Sequence, residues 1–251
     1  VHQGQHMDER TGYITISVDD GHETDLRTAD LLDEVDLRAT FYIPATNPER
    51  PVMSTEEIRS VAERFEVGGH TFHHLPLTGF GPEESRREIV DGKAWLEDVV
   101  EGPVRSFCYP QGKFNAGLER QVEDAGFACG RTCWLNLTAP PGDPYRWGVS
   151  TQAFSHSRPI QIRHAAIERN WAGLANYARI FRGAVDWEDH FLRAVKHVAG
   201  HGGIAHLFLH SWEIDQHDGW DKLRRLLARV RDNSSLVPVT NGELFDQAEA
   251  R

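Results

Sequence analysis

Short apolar runs and longer amphipathic segments alternate along most of this chain. The run at 13–18 has the length and apolar character of a buried strand, and residues 25–35 place apolar side chains near helical spacing. Further strands are predicted at 39–43, 66–70, 104–108, 126–130, 204–209 and 237–239, and further helices at 54–65, 82–99, 115–125, 187–201 and 220–231. Alternating strands and helices are typical of a parallel sheet covered by helices, so the pattern predicts an α/β fold.

Residues 134–186 interrupt this alternation. They contain a proline-rich turn, a strand-like run at 147–150 and a possible helix that begins at Pro159. No linker-like composition flanks them, so we interpret them as an elaborated loop region inside one domain that covers 13–251. Residues 1–12 are interpreted as an N-terminal extension, in which Met7 is the expected native start and the residues before it are an expected addition.

Polar side chains follow several of the predicted strands. Asp19 and Asp20 come directly after the first strand, and His70, the turn 109–112 and His210 follow later strands. The carboxyl ends of parallel strands share one edge of a sheet, where α/β proteins place their active sites. Two adjacent carboxylates repel each other, and a bound cation or a division into acid and base would offset that repulsion. The alternative is a turn in which one aspartate caps the next helix.

Three histidines lie together in the segment 70–74. If this segment forms one turn of helix, His70 and His74 face the same way and can hold one ion, whereas His73 projects elsewhere. With a carboxylate from a strand end, they predict a His-His-Asp site for a divalent first-row metal. A surface cluster of histidines without a ligand is the alternative.

These residues together resemble the signature motifs of the polysaccharide deacetylases, also called the NodB-homology or carbohydrate esterase 4 family. Residues 19–21 resemble the first motif, 70–74 the second, 107–112 the third and 207–210 the fifth. The ordered set spans nearly the whole chain. The resemblance implies a single-domain, distorted (β/α)7-type barrel that is similar to a TIM barrel.

The resemblance also implies an activity, the removal of an N-acetyl (acyl) group from an amino sugar in a poly- or oligosaccharide. Asp20, His70 and His74 would hold a divalent metal, with Zn²⁺ in first place and Co²⁺, Ni²⁺ or Fe²⁺ as alternatives. Asp19 would be the base that takes a proton from water, and His210 the acid that protonates the leaving amine. These roles fit the chemistry, since a bound cation activates water at neutral pH and histidine donates protons in the useful range.

Other residues are candidates for the cleft and its surroundings. Oxyanion and substrate contacts are expected from the backbone N–H near Tyr109 and from four further residues: Pro110, Gly112, Trp212 and His22. Many family members carry an arginine, which pairs with the base, where Cys108 stands here. Supporting charges are expected from Arg131 or Arg146 for the base, and from Glu213 or Asp215 for His210; ordinary ion pairs or helix caps are the alternatives. Gln111 replaces an aromatic of the third motif, and the Asp-Trp pair of the fourth motif has no match, which affects the substrate more than the metal site.

Charge and composition narrow the possible partners. A formal net charge of −11 argues against nucleic acid or an anionic membrane as the main partner. No run of about 18 apolar residues is present to span a membrane. The three cysteines lack paired spacing and the N-terminus lacks a signal-peptide pattern, so reduced thiols and a cytoplasmic location are expected.

Two other functions remain open from the sequence. The first keeps the fold and hydrolyses another non-peptide C–N bond, such as that of a cyclic amide or ureide. The second is a non-catalytic carbohydrate-binding protein. A base, an acid and three metal ligands in one set favour the deacetylase, because binding alone needs no ionised aspartate beside a metal.

Overall fold

The computed structural model describes residues 11–233 and 235–246. Its strands are β1 (Gly12–Asp19), β2 (Thr40–Ile43), β3 (Glu66–Gly69), β4 (Ser106–Cys108), β5 (Cys129–Arg131), β6 (Thr151–Gln152), β7 (Gly203–Leu209) and β8 (Leu236–Pro238). Its α-helices are α1 (Asp25–Glu34), α2 (Thr55–Ala62), α3 (Pro82–Val100), α4 (Ala116–Asp124), α5 (Arg158–Ile167), α6 (Trp171–Arg179), α7 (Trp187–His201), α8 (Ser211–Gln216), α9 (Trp220–Arg231) and α10 (Asn241–Asp246). Most of the extension predicted at 1–12 lies outside the described residues.

The strands form one curled parallel sheet in the order β5-β4-β3-β2-β1-β7-β6, and β8 pairs with the beginning of β1. The central strand β1 is paired on both sides, with Ser17 opposite Thr40 of β2 and Tyr13 opposite Ile204 of β7. Every residue of β1 is buried, as expected for a parallel strand covered by helices on its faces. The predicted barrel-like α/β fold is therefore confirmed.

Residues 147–153 connect the two ends of this sheet. Trp147 forms a parallel bridge with Arg131 at the end of β5. Farther along the same segment, the Ser150 N–H donates to the His206 carbonyl at 3.0 Å and the Ala153 N–H donates to the Phe208 carbonyl at 2.9 Å. The region expected to be an elaborated loop therefore contains part of the sheet, and α5 and α6 follow it.

Local sequence signals determine where several of the helices begin and end. Ser54 accepts the Glu57 N–H while Glu57 accepts the Ser54 N–H, which is the predicted capping box of α2. Asn115 caps α4 in the predicted way. The strand predicted at 126–130 begins only at Cys129, because Gly126 has a φ of +80° and turns the chain out of α4. Within the described residues, no helix combines the length and the apolar character needed to cross a membrane.

Candidate metal centre and active site

Asp20 and two histidines converge beyond the carboxyl end of β1. Asp20 Oδ1 lies 3.0 Å from His74 Nε2 and 3.6 Å from His70 Nε2. One ligand atom from each of the three residues lies within 4.8 Å of the other two. Burial alone would raise the pKa of Asp20, but the neighbouring imidazoles of His70 and His74 and the charge of His210 bring that pKa well below its usual range.

Surrounding groups orient these three side chains. His70 Nδ1 lies 2.8 Å from the Cys108 carbonyl oxygen and donates to it, so the unprotonated Nε2 faces Asp20. Burial lowers the pKa of His70, which favours the neutral imidazole that a metal requires. The Trp212 indole N–H donates to Asp20 Oδ2 at 2.9 Å and leaves Oδ1 directed at the histidines. One carboxylate oxygen and two imidazole nitrogens in this arrangement fit a divalent first-row metal.

The segment 70–74 is an irregular turn, so the prediction of a helical turn is wrong. Thr71 and His74 have φ values of +67° and +54°, whereas a right-handed helix requires about −63°. The Phe72 N–H donates to the Glu88 carbonyl of α3 at 3.0 Å, which fixes the middle of the turn. His70 and His74 converge because the chain folds back between them. His73 points away and its Nδ1 lies 2.7 Å from Glu88.

Gly92 on α3 allows this turn to lie directly against the helix. A Cβ atom at Gly92 would lie 2.6 Å from the Thr71 carbonyl carbon and 2.8 Å from the Phe72 nitrogen. Gly92→Ala should therefore destabilise the fold by about 1–3 kcal/mol through overpacking and should weaken metal binding, because it displaces His70 and His74. Thermal unfolding and metal titration measure the two effects. Gly200→Ala is the control, since a Cβ there meets open space, and equal metal affinity in both variants would contradict the prediction.

Asp19 forms an ion pair with Arg131 at the end of β5. Arg131 Nη2 donates to both carboxylate oxygens of Asp19, and both side chains are buried. Burial alone would lower the pKa of Arg131, but the charge of Asp19 helps to hold it well above its ordinary value. The guanidinium also lies over the rings of Tyr42 and Phe208, with Cζ 5.1 Å and 4.9 Å from their centroids. Asp19 is therefore held in place by a fixed, fully buried positive charge.

Arg131 reaches Asp19 from the strand next to the one that carries Cys108. The two residues are direct partners in the pairing of β4 with β5. Paired residues of neighbouring strands present their side chains on the same face of a sheet. The Cys108 thiol itself lies 3.7 Å from Asp19 Oδ2. A positive charge is thus present beside Asp19 although Cys108 occupies the position at which the family usually has an arginine.

His210 follows β7 and is held by Glu213 from the first turn of α8. His210 Nδ1 lies 2.7 Å from Glu213 Oε2, and residues three apart lie on one side of a helix. Burial lowers the pKa of His210, but the Glu213 hydrogen bond and the charge of Asp20 oppose this effect and the resulting pKa is about 9. The other ring nitrogen, Nε2, lies 3.9 Å from Asp20 Oδ2 and therefore faces the metal ligands.

Gln152 supports Glu213, and the sequence did not indicate it. Gln152 Nε2 donates to Glu213 Oε2 at 3.2 Å, while Gln152 Oε1 lies 2.9 Å from His156 Nε2. The two polar contacts fix the orientation of the Gln152 amide. Gln152 lies on β6, which has only two residues and leaves no alternating pattern that could mark it as a strand.

Two supporting residues expected from the sequence lie outside these contacts. Arg146 donates to both carboxylate oxygens of Glu119, at 2.6 Å and 2.8 Å. Asp215 accepts the Trp220 indole N–H at 2.7 Å, because a residue five positions after His210 faces another side of the helix than Glu213. Among the alternatives considered for each partner, Arg131 contacts Asp19 and Glu213 contacts His210.

The turn that follows β4 was predicted to contact the oxyanion and the substrate, but its first residues have other contacts. The Tyr109 N–H donates to the Arg131 carbonyl at 3.0 Å, so this amide belongs to the sheet and is not directed at a substrate. The Tyr109 ring is fully buried and its hydroxyl donates to the Tyr145 carbonyl at 3.0 Å. Pro110 is buried and has no N–H, and Gly112 has a φ of +65° where a Cβ would approach Cys133. These three residues build the turn, and an oxyanion contact from a backbone N–H near Tyr109 cannot come from the Tyr109 amide itself.

Trp212 borders the metal centre, whereas the side-chain contacts of His22 are with Thr24. The Trp212 ring stacks against the His210 ring with 5.3 Å between centroids, while its N–H contacts Asp20. The ring and the N–H of Trp212 are therefore both used within the site itself. His22 is half-buried, and its Nδ1 lies 2.8 Å from the Thr24 hydroxyl.

Comparisons with known proteins agree with the motifs. A family model described as polysaccharide deacetylase matches residues 6–130. A peptidoglycan-N-acetylglucosamine deacetylase of Bacillus cereus is 27% identical over 152 residues, which are 55% of this chain and 67% of that protein. A putative polysaccharide deacetylase of Bacillus subtilis is 25% identical over 122 residues, which are 47% of this chain and 44% of that protein. Each match thus spans about half to two thirds of the relative's length.

A solved structure extends the likeness to the rest of the fold. A family 4 carbohydrate esterase from Streptomyces lividans, determined in complex with acetate, matches 90% of this chain and 90% of its own with a TM-score of 0.56. The two sequences are 15% identical over that match. At this identity the likeness establishes a shared fold.

Proposed function

Because this chain belongs to the polysaccharide deacetylase family, we propose that it removes an N-acetyl group from an amino sugar in a poly- or oligosaccharide with the help of a divalent metal. The observation that carries the proposal is the convergence of Asp20, His70 and His74 beside two separately supported groups, Asp19 and His210. A metal site, a candidate base and a candidate acid at the carboxyl ends of neighbouring strands are the parts that amide hydrolysis by water requires.

Asp20 Oδ1 and the Nε2 atoms of His70 and His74 would hold the metal. A divalent cation, when bound, lowers the pKa of a coordinated water and polarises the amide carbonyl. The Cys108 carbonyl and the Trp212 N–H keep two of the ligands in their binding orientation. Zn²⁺ is the first choice for this set of oxygen and nitrogen ligands, and Co²⁺, Ni²⁺ or Fe²⁺ are the alternatives.

Asp19 would take the proton from the attacking water. Arg131 fixes its carboxylate beside the metal ligands, so little reorientation is needed when the proton moves. His210 would give a proton from Nε2 to the departing amine. Glu213 accepts from the opposite ring nitrogen and thereby directs Nε2 toward the metal ligands. Because Tyr109 and Pro110 offer no free N–H, the next amide of that turn, Gln111, is the candidate donor to the oxyanion.

The contact between Glu213 and His210 gives a test of the acid. Glu213→Ala should lower kcat for an N-acetylated oligosaccharide by roughly 10–100-fold. A general acid contributes about 10²–10⁴-fold to the rate, and this variant keeps His210 but no longer fixes the orientation of its ring, so only part of that contribution is lost. Hydrolysis of an aryl acetate should change little, since that leaving group departs without a proton. Asp215→Ala on the same helix is the matched control. Equal losses on the amide and the ester would contradict a role in protonating the amine.

Release of acetate tests the proposed reaction directly. The protein loaded with Zn²⁺ should liberate acetate and free amine from N-acetylated oligosaccharides, and a chelator should abolish this activity. Cyclic amides and ureides are assayed in parallel, because turnover of these alone would favour the other C–N bond hydrolase. Sugar binding without turnover of any substrate would favour a non-catalytic carbohydrate-binding protein.

A further inference from the structure

Arg50 lies beside the metal centre on the segment between β2 and α2. Its Cζ is 3.4 Å from the centroid of the Trp212 ring, so the guanidinium packs closely over the indole. The same indole donates to Asp20 and stacks against His210. Arg50 is therefore separated from one candidate metal ligand and from the candidate acid by a single side chain.

Arg50 differs from the other cations that lie over aromatic rings in this chain. Among the described residues, each of those others also forms an ion pair with a carboxylate, namely Arg27, Arg64, Lys93, Arg131, Arg146 and Lys222. Within 11–233 and 235–246 no carboxylate pairs with Arg50, and its buried Nε has no hydrogen-bond partner. The indole partly removes the Arg50 guanidinium from water, and Arg50 lacks the paired carboxylate that the other cations over aromatic rings have.

A partly desolvated guanidinium gains from an oxyanion that it can bind through two donors. The candidate carboxylates nearby are already committed, since Asp19 pairs with Arg131 and Asp20 faces the histidines and Trp212. The whole chain carries a net charge of −11, so its long-range field repels anionic substrates. A cation beside the metal centre would offset that repulsion for an anionic substrate, whereas a neutral glycan needs no such cation.

We infer that Arg50 binds an anionic group of the substrate, and that the preferred glycan carries a carboxylate or a phosphate close to its N-acetylated sugar. This inference rests on the proposed deacetylase function and specifies its substrate class. A guanidinium offers paired, coplanar N–H donors that suit either oxyanion, and the buried Nε of Arg50 has no partner among the described residues. A carboxylate and a phosphate both present an oxyanion to Arg50, and the oligomers below distinguish between the two.

The test compares three oligosaccharides of equal length that differ only in charge. One is a neutral oligomer of N-acetylglucosamine, the second carries lactyl carboxylates as in N-acetylmuramic acid, and the third carries sugar phosphates. The Zn²⁺-loaded protein should show kcat/KM at least about 10-fold higher on one of the charged oligomers, which is the size expected for one charge-assisted hydrogen bond. Arg50→Gln should bring the ratio of charged to neutral substrate close to one, mainly through KM. Arg50→Lys should retain part of the preference, because it keeps the charge without the planar fork.

Arg27→Gln is the matched control, since Arg27 also lies over an indole ring, that of Trp220, but pairs with Asp215 outside the site. This variant should keep the full preference. Equal kcat/KM on the neutral and charged oligomers, or equal losses on all of them in Arg50→Gln, would overturn the inference. Isothermal titration calorimetry with the same oligomers tests the inference about Arg50 independently of the deacetylase proposal. If no oligomer is hydrolysed, that proposal fails, while a charge preference in binding that Arg50→Gln removes would still support Arg50 as the anion site.

Discussion

Asp19→Asn should leave the protein able to bind its metal but nearly unable to turn over substrate. An asparagine cannot accept the proton of water, and loss of a general base costs about 10²–10⁴-fold in rate. The same change removes the negative charge that faces the fully buried Arg131. Breaking a buried ion pair from one side destabilises a protein by about 3–5 kcal/mol, so unfolding by denaturant should shift strongly as well. Acetate release, metal content and unfolding are measured on the same sample.

A double variant separates the two effects of this substitution. Asp19→Asn combined with Arg131→Met removes both buried charges, and such replacements are often neutral or stabilising. The double variant should regain much of the lost stability while its turnover stays as low as in Asp19→Asn. Recovery of turnover along with stability would show that Asp19 acts only through folding. A near-normal rate in the single variant would rule it out as the base.

His70→Ala should remove most of the bound metal together with the activity. Loss of a group that only orients a metal ligand already costs about 10–100-fold in affinity, so loss of a ligand should cost at least about 100-fold. Metal analysis after dialysis against a weak chelator measures the occupancy. His70 lies in the irregular turn whose other histidine, His73, points to Glu88.

His73→Ala provides the control for that experiment. It alters the same turn and removes an imidazole, but His73 is half-exposed and does not face Asp20. Its metal occupancy should equal that of the unaltered protein. If His70→Ala retained its metal, or if both variants lost it equally, the assignment of His70 as a ligand would fail.

Most of the strands and the longer helices of this fold could be predicted because their signals are local, whereas α6, α8 and α10 were not predicted. The apolar run of β1, the capping box at Ser54 and the helix from Trp187 to His201 each depend on residues within one segment. The resemblance to the polysaccharide deacetylases and the barrel-like fold that it implied are confirmed. The metal, the role of each site residue and the substrate remain predictions.

The parts that could not be predicted depend on contacts between distant segments. The turn at 70–74 takes its shape from packing against Gly92 and from a hydrogen bond to Glu88, so the histidine spacing alone indicated a helix. Similarly, Arg131 and Arg146 were equal candidates until the pairing of β4 with β5 placed one of them beside Asp19. Gln152 gave no signal because its strand is too short for a pattern.

The pairing of Cys108 with Arg131 on adjacent strands has a consequence for how such sites evolve and are redesigned. Position 131 supplies the charge beside Asp19 in this protein, and its partner across the two strands, position 108, is where the resemblance implies the usual arginine. Restoring the arginine by Cys108→Arg would put a second guanidinium into a space that Arg131 already fills. If arginine is placed at position 108, a small residue is needed at position 131 so that a single guanidinium faces Asp19. The two positions should therefore change together across related chains, and a search for the third motif alone would overlook members that carry the exchange.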